Sequence, residues 1–301
     1  YIVALLVCML LLEEVKRLQV LAPLHNPANA LGIEAVQAIY PEIPQVVVFD
    51  TAFHQTMPPV AFRYPLPKVL YDEYKIRRYG FHGTSHAYVS ERASEITSAK
   101  APHGWLTAHL GNGCSATAVY NGESLDTSMG LTPLEGLMMG TRSGDVDPSL
   151  HIHLKRQLGM SLEETDKMLN NESGLLGISG LSNDLRTIEQ AANEGHQDAK
   201  LAIEMFCYRV AKYLASLSCA LPDFTGIVFT GGIGENSVTT RTRILEMMPH
   251  FGIKVDSTKN ASLVGGKEGR FHADDSSIEL WVVPTDEECR IAQETREALG
   301  L

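Results

Sequence analysis

The sequence predicts an α/β fold whose ligand-holding loops sit at the carboxyl ends of its strands, and three observations lead there. Short β-branched runs alternate with helix-periodic segments. Two glycine-bearing loops, His109-Leu110-Gly111-Asn112-Gly113 and Thr230-Gly231-Gly232-Ile233-Gly234-Glu235-Asn236, each directly follow a strand-like run. Two carboxylates, Asp50 and Glu287, also stand just past such runs. In an open α/β sheet this is the edge where ligands bind.

In chain order, Tyr1 to Leu12 is almost wholly apolar and is followed at once by Glu13-Glu14 and Lys16-Arg17. It lacks a basic leader and a small-residue cleavage site, and is shorter than the ~20 apolar residues of a membrane span, so a buried strand or helix start is expected. Ile33 to Ile39 reads as a helix closed by Pro41, and Val46 to Asp50 as a fully buried strand ending in a carboxylate. Tyr79-Gly80-Phe81-His82-Gly83-Thr84-Ser85-His86 places two histidines four apart, but Gly80 and Gly83 speak against a continuous helix through His82 and against a zinc pair. His82 is expected to donate to an anion, and His86 to be a hydrogen-bonding residue at a helix N-terminus.

Strands are expected at Trp105 to His109 and Ser115 to Tyr120, flanking the first glycine loop. The stretch Asp126 to Pro148 is dense in glycine, hydroxyls and acids and is long for a plain loop. Within it Arg142 either brings a bidentate fork to a phosphate or sits in a surface salt bridge. Ser161-Leu162-Glu163-Glu164 is a capping box, and Phe206, Val210, Tyr213 and Leu217 recur as one helical stripe. Ile227 to Thr230 and Ile278 to Val283 complete the strands, and a last helix begins near Asp286 and Glu287.

Backbone without Cβ atoms brings several N–H groups close to an anion, so the paired loops suggest a phosphate-binding cleft. Asp50 and Glu287 either cap the segments that follow or serve Mg²⁺, which takes oxygen ligands and bridges to substrate phosphates. Neither a P-loop nor the protein-kinase motif set is present.

The 301 residues, 44% hydrophobic and 20% charged, fit a soluble globular chain of about two domains. A net charge of −11, with no basic block beyond Lys75-Ile76-Arg77-Arg78, argues against a nucleic-acid partner. Five scattered cysteines without a C-x-x-C pair indicate neither a disulfide framework nor zinc and fit a reducing cytoplasm. Cys114 has no His or acid at a catalytic spacing and reads as a small loop-lining residue.

Taken together, Val48-Phe49-Asp50-Thr51-Ala52-Phe53-His54, Tyr79 to His86, His109 to Gly113, Asp126 to Asp147, Phe229 to Asn236 and Pro284-Thr285-Asp286-Glu287-Glu288 closely resemble acetate kinases. The resemblance runs from about Leu18 to the C-terminus. It implies the sugar kinase, Hsc70 and actin superfamily fold, an actin-like, ribonuclease H-like ATPase of two related domains closing on ATP, working as a homodimer. On this reading residues 1–52 are the remnant of a truncated N-terminal, acetate-side domain. Residues 53–287 form the nucleotide-binding and dimerisation domain, and a C-terminal helix over 288–301 packs on the first.

Carried over position by position, the resemblance places nucleotide contacts on His109, Leu110, Gly111, Asn112 and Gly113, on Asp184, Leu185 and Arg186 near the adenosine, and on Gly232, Ile233, Gly234, Glu235 and Asn236. It places catalytic roles on Asp50, His82 and Arg142 and the carboxylate for Mg²⁺ (or Mn²⁺) on Glu287. Leu24, Phe81 and Pro133 match positions lining the pocket for the acetate methyl group. The implied reaction is reversible phosphoryl transfer from ATP to acetate, giving acetyl phosphate and ADP. A propionate or other short-chain acyl kinase and a non-catalytic nucleotide-binding fragment are the alternatives. The family also carries a long segment ahead of this start, with a phosphate turn and a carboxylate-binding arginine, and Tyr1 to Leu12 departs from its pattern. This chain alone is therefore expected to bind nucleotide at most weakly and to make no acetyl phosphate.

Overall fold

Residues 4–7, 9–18 and 26–301 are described by a computed structural model. The chain begins with β1 (Ala4–Leu6), α1 (Met9–Arg17), α2 (Asn26–Ile39) and β2 (Val46–Val48). β1 and β2 pair antiparallel, with Ala4 opposite Val48. Leu12, Val15, Ala30 and Ile33 close a small core against Val47 and Phe49. The expectation of a fully buried strand through Asp50 is corrected: β2 stops at Val48 and is half-buried throughout. Its described partner is a three-residue strand, and a two-stranded ribbon leaves part of each face open.

Two short helices, α3 (Pro59–Phe62) and α4 (Lys68–Asp72), lead to α5 (Gly83–Ile96) and then to β3 (Gly104–Leu110), β4 (Cys114–Tyr120) and β5 (Glu123–Thr127). After α6 (Leu150–Leu158), α7 (Leu162–Asn171), α8 (Gly174–Ser179), α9 (Leu185–Asn193) and α10 (Gln197–Leu217) come β6 (Gly226–Thr230), α11 (Gly231–Asn236), α12 (Val238–Glu246) and α13 (Ser257–Ser262). The chain ends with β7 (Gly269–Arg270), β8 (Glu279–Val282) and α14 (Glu287–Leu299). The main sheet has the order β5-β4-β3-β6-β8-β7. β5, β4 and β3 form an antiparallel meander, β6 and β8 add to β3 in parallel, and β7 closes the far edge antiparallel.

Side chains alternate across a strand, and the two faces of this sheet differ in kind. Leu106, Ala108 and Leu110 of β3 and Cys114, Ala116 and Ala118 of β4 face the main core, where α10 presents Phe206, Val210, Leu214 and Leu217. On the other face Trp105, Val119, Val228, Trp281 and Val283 meet Val89 and Ala93 of α5. Between those apolar residues and the carboxyl end of the sheet, the same face carries Thr107, His109, Ser115 and Thr117. That polar end is where the site forms.

The helix ends match their sequence signals. Ser161 and Glu164 make both bonds of the capping box at α7, worth roughly 1 kcal/mol for the cap. Asp286 caps α14 through the Cys289 N–H, so the last helix starts at Glu287 as read, and α14 packs against β1, β2 and α5. Among the described residues no helix is long and apolar enough to cross a membrane.

Candidate active site

The polar end of the sheet is covered by the first turn of α5, and the register brings its groups together. Thr107 pairs with Thr117 and His109 with Ser115 across β3 and β4. His86, one turn into α5, is fully buried over them, with Nδ1 2.7 Å from Thr107 Oγ1 and Nε2 2.7 Å from Ser115 Oγ. His86 is thus a hydrogen-bonding residue near a helix N-terminus, as expected. Its partners are sheet hydroxyls, because α5 lies flat on the strands. The same Ser115 Oγ is 2.8 Å from His82 Nδ1, so the two histidines share a serine. His109 holds Ser85 Oγ at 2.8 Å through Nδ1 and stacks on His82, with ring centroids 4.2 Å apart. Burial pushes His82 and His86 well below the usual imidazole range, and lowers His109 as well. All three are neutral at physiological pH.

His82 itself precedes the helix in the left-handed region, at φ 54°. That conformation is uncommon outside glycine, and Asp50 holds it. The Asp50 carboxylate accepts from the His82 N–H at 2.7 Å, and the Asp50 carbonyl accepts from Gly83 N–H at 2.9 Å. Gly83 is needed here, since a Cβ would stand 2.2 Å from the Asp50 carbonyl oxygen. The next residue, Thr84, donates to Glu287 at 3.0 Å. Asp50 and Glu287, far apart in sequence, are thus fixed to the same turn.

Arg142 reaches the site from the long loop after β5. Its Nη1 donates to the Pro133 carbonyl at 2.7 Å, and among the described residues no carboxylate pairs with it. The surface salt-bridge alternative thus does not apply. Gly113 shows what lies between Arg142 and His82: a Cβ built there would be 2.7 Å from Arg142 Nη2 and 3.3 Å from His82 Nε2. The guanidinium and the imidazole thus both close on Gly113, so tightly that a side chain there would collide with them. The surrounding loop is held by Arg78, which donates to the carbonyls of Thr127, Ser128 and Met129 and to Glu135 at 2.7 Å.

The two glycine loops border one cavity of about 540 Å³, a size that suits a small-molecule ligand. Gly111, Asn112, Gly232, Ile233 and Asn236 line it, and Asp184, Leu185 and Arg186 form its outer wall. Asp184 caps α9 and pairs with the exposed Arg186 at 2.6 Å. His109, Leu110, Gly113, Gly234 and Glu235 lie outside this lining and act behind it. Glu235 accepts from the N–H groups of Gly231 and Thr285, tying the second loop to the segment before Glu287. The sequence reading missed Asn183, Glu189 and Ser237, which complete the cavity. It also missed Ser85 and Thr84 in the first turn of α5, and Thr107 and Ser115, whose signal was an alternation of hydroxyls on the strands beside the first loop. Phe81 adjoins His82 and gives its carbonyl to His54 Nε2 at 2.9 Å, while Pro133 anchors Arg142. Leu24 lies outside the described residues. Cys114 is fully buried with its thiol pushed up to about 12, which fits a lining residue and not a nucleophile.

His54, fully buried under this turn, makes the site acid-sensitive. Its ring bonds Ser124 Oγ and the Phe81 carbonyl, and burial holds its pKa down from 6.5 to about 4. Above about 6.5 it is neutral folded and unfolded; as the pH falls toward about 4 the unfolded chain binds the proton first, so stability drops across that window. The thermal midpoint is expected to fall with pH over this interval, and less steeply in His54→Gln. Identical slopes for the two proteins would contradict this.

An antiparallel meander continued by parallel strands, with two glycine loops at their carboxyl ends bordering one cavity, defines an actin-like ATPase fold. The acetokinase family model matches residues 1–293, and the chain belongs to the acetokinase family. The match reaches further toward the N-terminus than the motif resemblance, which began near Leu18. An acetate kinase of Ectopseudomonas mendocina is 58% identical over 285 residues, covering 94% of this chain and 72% of that one. A crystal structure of Porphyromonas gingivalis acetate kinase superposes with a TM-score of 0.94 at 45% identity, covering 99% of this chain and 75% of that one. A propionate kinase from Francisella tularensis superposes with a TM-score of 0.92 at 48% identity, covering 98% and 75%. The chain is accordingly an enzyme of the phosphotransferase class whose acceptor is a carboxyl group, with acetate kinase activity.

Proposed function

We propose that the cavity between the glycine loops takes the adenosine and proximal phosphates of ATP, and that the γ-phosphoryl passes to acetate in the space beside Gly113. The observation that carries this is the convergence of His82 Nε2 and Arg142 Nη2 on Gly113 of the first glycine loop. An acetate oxygen attacks the γ-phosphorus in line, the new P–O bond forms acetyl phosphate, and the bond to the β-phosphate oxygen breaks with its electron pair leaving on ADP. Arg142 and His82 donate to the equatorial oxygens, where charge lies in the transition state.

Asp50 and Glu287, held to one turn, suit Mg²⁺ or Mn²⁺, which needs one or two carboxylates and completes its shell with water and phosphate oxygens. Bound there, the ion would supply neutralisation of phosphate charge. Asp50 is read as an orienting carboxylate and not as a base, because acetate is already ionised at neutral pH and has no proton to give. Asp50→Asn keeps an acceptor for the His82 N–H but loses the charge, so kcat is expected to fall at every pH. Loss of only one limb of the pH–rate profile would favour proton transfer instead. Phe81 and Pro133 are assigned to the methyl pocket, and the likeness to a propionate kinase favours a second reading in which that pocket takes one more methylene.

Trapping of acyl hydroxamate from ATP, hydroxylamine and either acid tests the proposal. A higher kcat/KM for acetate supports it and overturns the expectation that this chain makes no acetyl phosphate, a higher value for propionate supports the second reading, and no hydroxamate from either acid contradicts both and favours the non-catalytic nucleotide-binding fragment. The family also supports a cytoplasmic homodimer built on residues 53–287, which a single-chain mass in sedimentation would overturn.

A further inference from the structure

We infer that Thr107, His86 and Ser115 form a hydrogen-bond relay that fixes neutral His82 as the Nε2–H tautomer, so that it meets the transferring phosphoryl as an uncharged donor. The inference rests on the reading of His82 given above. The relay consists of Thr107 Oγ1 to His86 Nδ1 at 2.7 Å, His86 Nε2 to Ser115 Oγ at 2.7 Å, and Ser115 Oγ to His82 Nδ1 at 2.8 Å.

Each link holds one proton, and among the described residues the Ser115 hydroxyl has no partners besides the two histidines, so if it accepts from one its own buried proton goes to the other. A neutral imidazole has one N–H and one bare nitrogen, and a hydroxyl carries one proton. If Thr107 donates to His86 Nδ1, His86 donates from Nε2 to Ser115, and Ser115 donates to His82 Nδ1. The proton of His82 is then on Nε2, the nitrogen that faces Gly113 and Arg142. In the reverse direction Thr107 would have to give its own proton to the Thr117 carbonyl, which is 3.4 Å away. A hydroxyl donor is at its best near 2.7 to 2.8 Å and weak at that range, so the forward direction is favoured.

A second relay repeats the pattern from the other side. Thr285 Oγ1 donates to Ser85 Oγ at 2.8 Å, leaving the Ser85 proton for His109 Nδ1, and His109 Nε2 faces Gly111. Two stacked rings, each held at Nδ1 by a serine, therefore both turn Nε2 toward the glycine loop. A neutral donor suits this place, since an imidazolium would lie beside the Arg142 guanidinium and a second buried ring. Thr107, His86 and Ser115 are positioning residues, acting only through His82.

Two-bond ¹⁵N–¹H correlation spectra of the protein with ¹⁵N-labelled histidine read the tautomer directly, His82 being assigned by loss of its signals in His82→Gln. The expected result is a protonated Nε2 and a bare Nδ1 at neutral pH. In Ser115→Ala, His82 is expected to become a mixture of tautomers, with kcat about tenfold lower and KM for ATP changed less than about twofold. Ser115→Thr, which returns a hydroxyl, is expected to restore the single tautomer and most of kcat. An Nδ1–H tautomer or an imidazolium in the unsubstituted protein, or an unchanged tautomer in Ser115→Ala, would overturn the relay. The spectra need no turnover, so absence of acetyl phosphate would sink the functional reading while leaving the relay to be judged by the tautomer.

Discussion

Arg142→Ala is expected to lower kcat for acetyl phosphate formation by about a thousandfold or more, the scale of arginines that neutralise a transferring phosphoryl, with little change in ADP affinity. Three features set that size. Arg142 is held by a carbonyl and not by a carboxylate, so its charge is unspent until substrate arrives. Half-buried placement lowers its pKa but leaves it cationic, and makes its field stronger than at an open surface. Its second nitrogen lies against Gly113 and close to His82, away from the cavity wall that would hold the adenosine. Arg142→Lys keeps charge without the planar fork and is expected to recover only part of the loss. Gly113→Ala, whose methyl would collide with Arg142 Nη2 and push the guanidinium aside, is expected to reduce kcat while leaving the fold intact. Steady-state kinetics with an ADP titration check this; a loss in kcat below about tenfold, or an equal loss in ADP affinity, would count against the assignment.

Arg241→Met is expected to destabilise the protein by about 3–5 kcal/mol, because several buried acceptors lose their donor at about 1–3 kcal/mol each. The side chain is fully buried, yet every guanidinium N–H has an acceptor. Nε donates to Asn260 Oδ1 at 2.8 Å, Nη1 to the carbonyls of Gly234 and Glu235, and Nη2 to those of Asn260 and Leu263 at 3.0 Å. Two of these are late carbonyls of α11, the helix made by the second glycine loop. Arg241 therefore satisfies a helix end that six residues cannot satisfy alone, and ties the loop to α13. Methionine fills much of the volume but leaves those carbonyls buried without donors. The thermal midpoint is expected to drop by about 10 °C, and ADP to bind more weakly through the loosened loop. An unchanged midpoint would show that the carbonyls find other partners.

These two arginines mark what the sequence could and could not convey. Arg142 was legible because glycines and hydroxyls surround it in a long aperiodic stretch, a composition that serves a ligand better than a core. Arg241 sits among threonines on an ordinary helix, and nothing local says that its side chain turns inward; its partners come from α11 and the segment after α12. Strands β3, β4, β6 and β8 were legible as short apolar runs, and the loops after β3 and β6 from glycine. Thr107 and Ser115 were read only as strand residues. A polar residue at every second strand position ordinarily means a solvent-facing side, and only the packing of α5 turns that face into a buried relay. β2 was overestimated for a related reason: a run of valines states a preference for burial, whereas the extent of burial depends on which strands lie beside it.

The central claim, that the phosphoryl passes between His82 and Arg142 beside Gly113, is tested most directly by a crystal structure with MgADP, acetate and aluminium fluoride. The planar fluoride stands in for the phosphoryl in flight. The fluoride is expected within hydrogen-bond distance of both His82 Nε2 and Arg142 Nη2, beside Gly113, with ADP along the two glycine loops. A fluoride bound elsewhere, or one touching neither side chain, would contradict it.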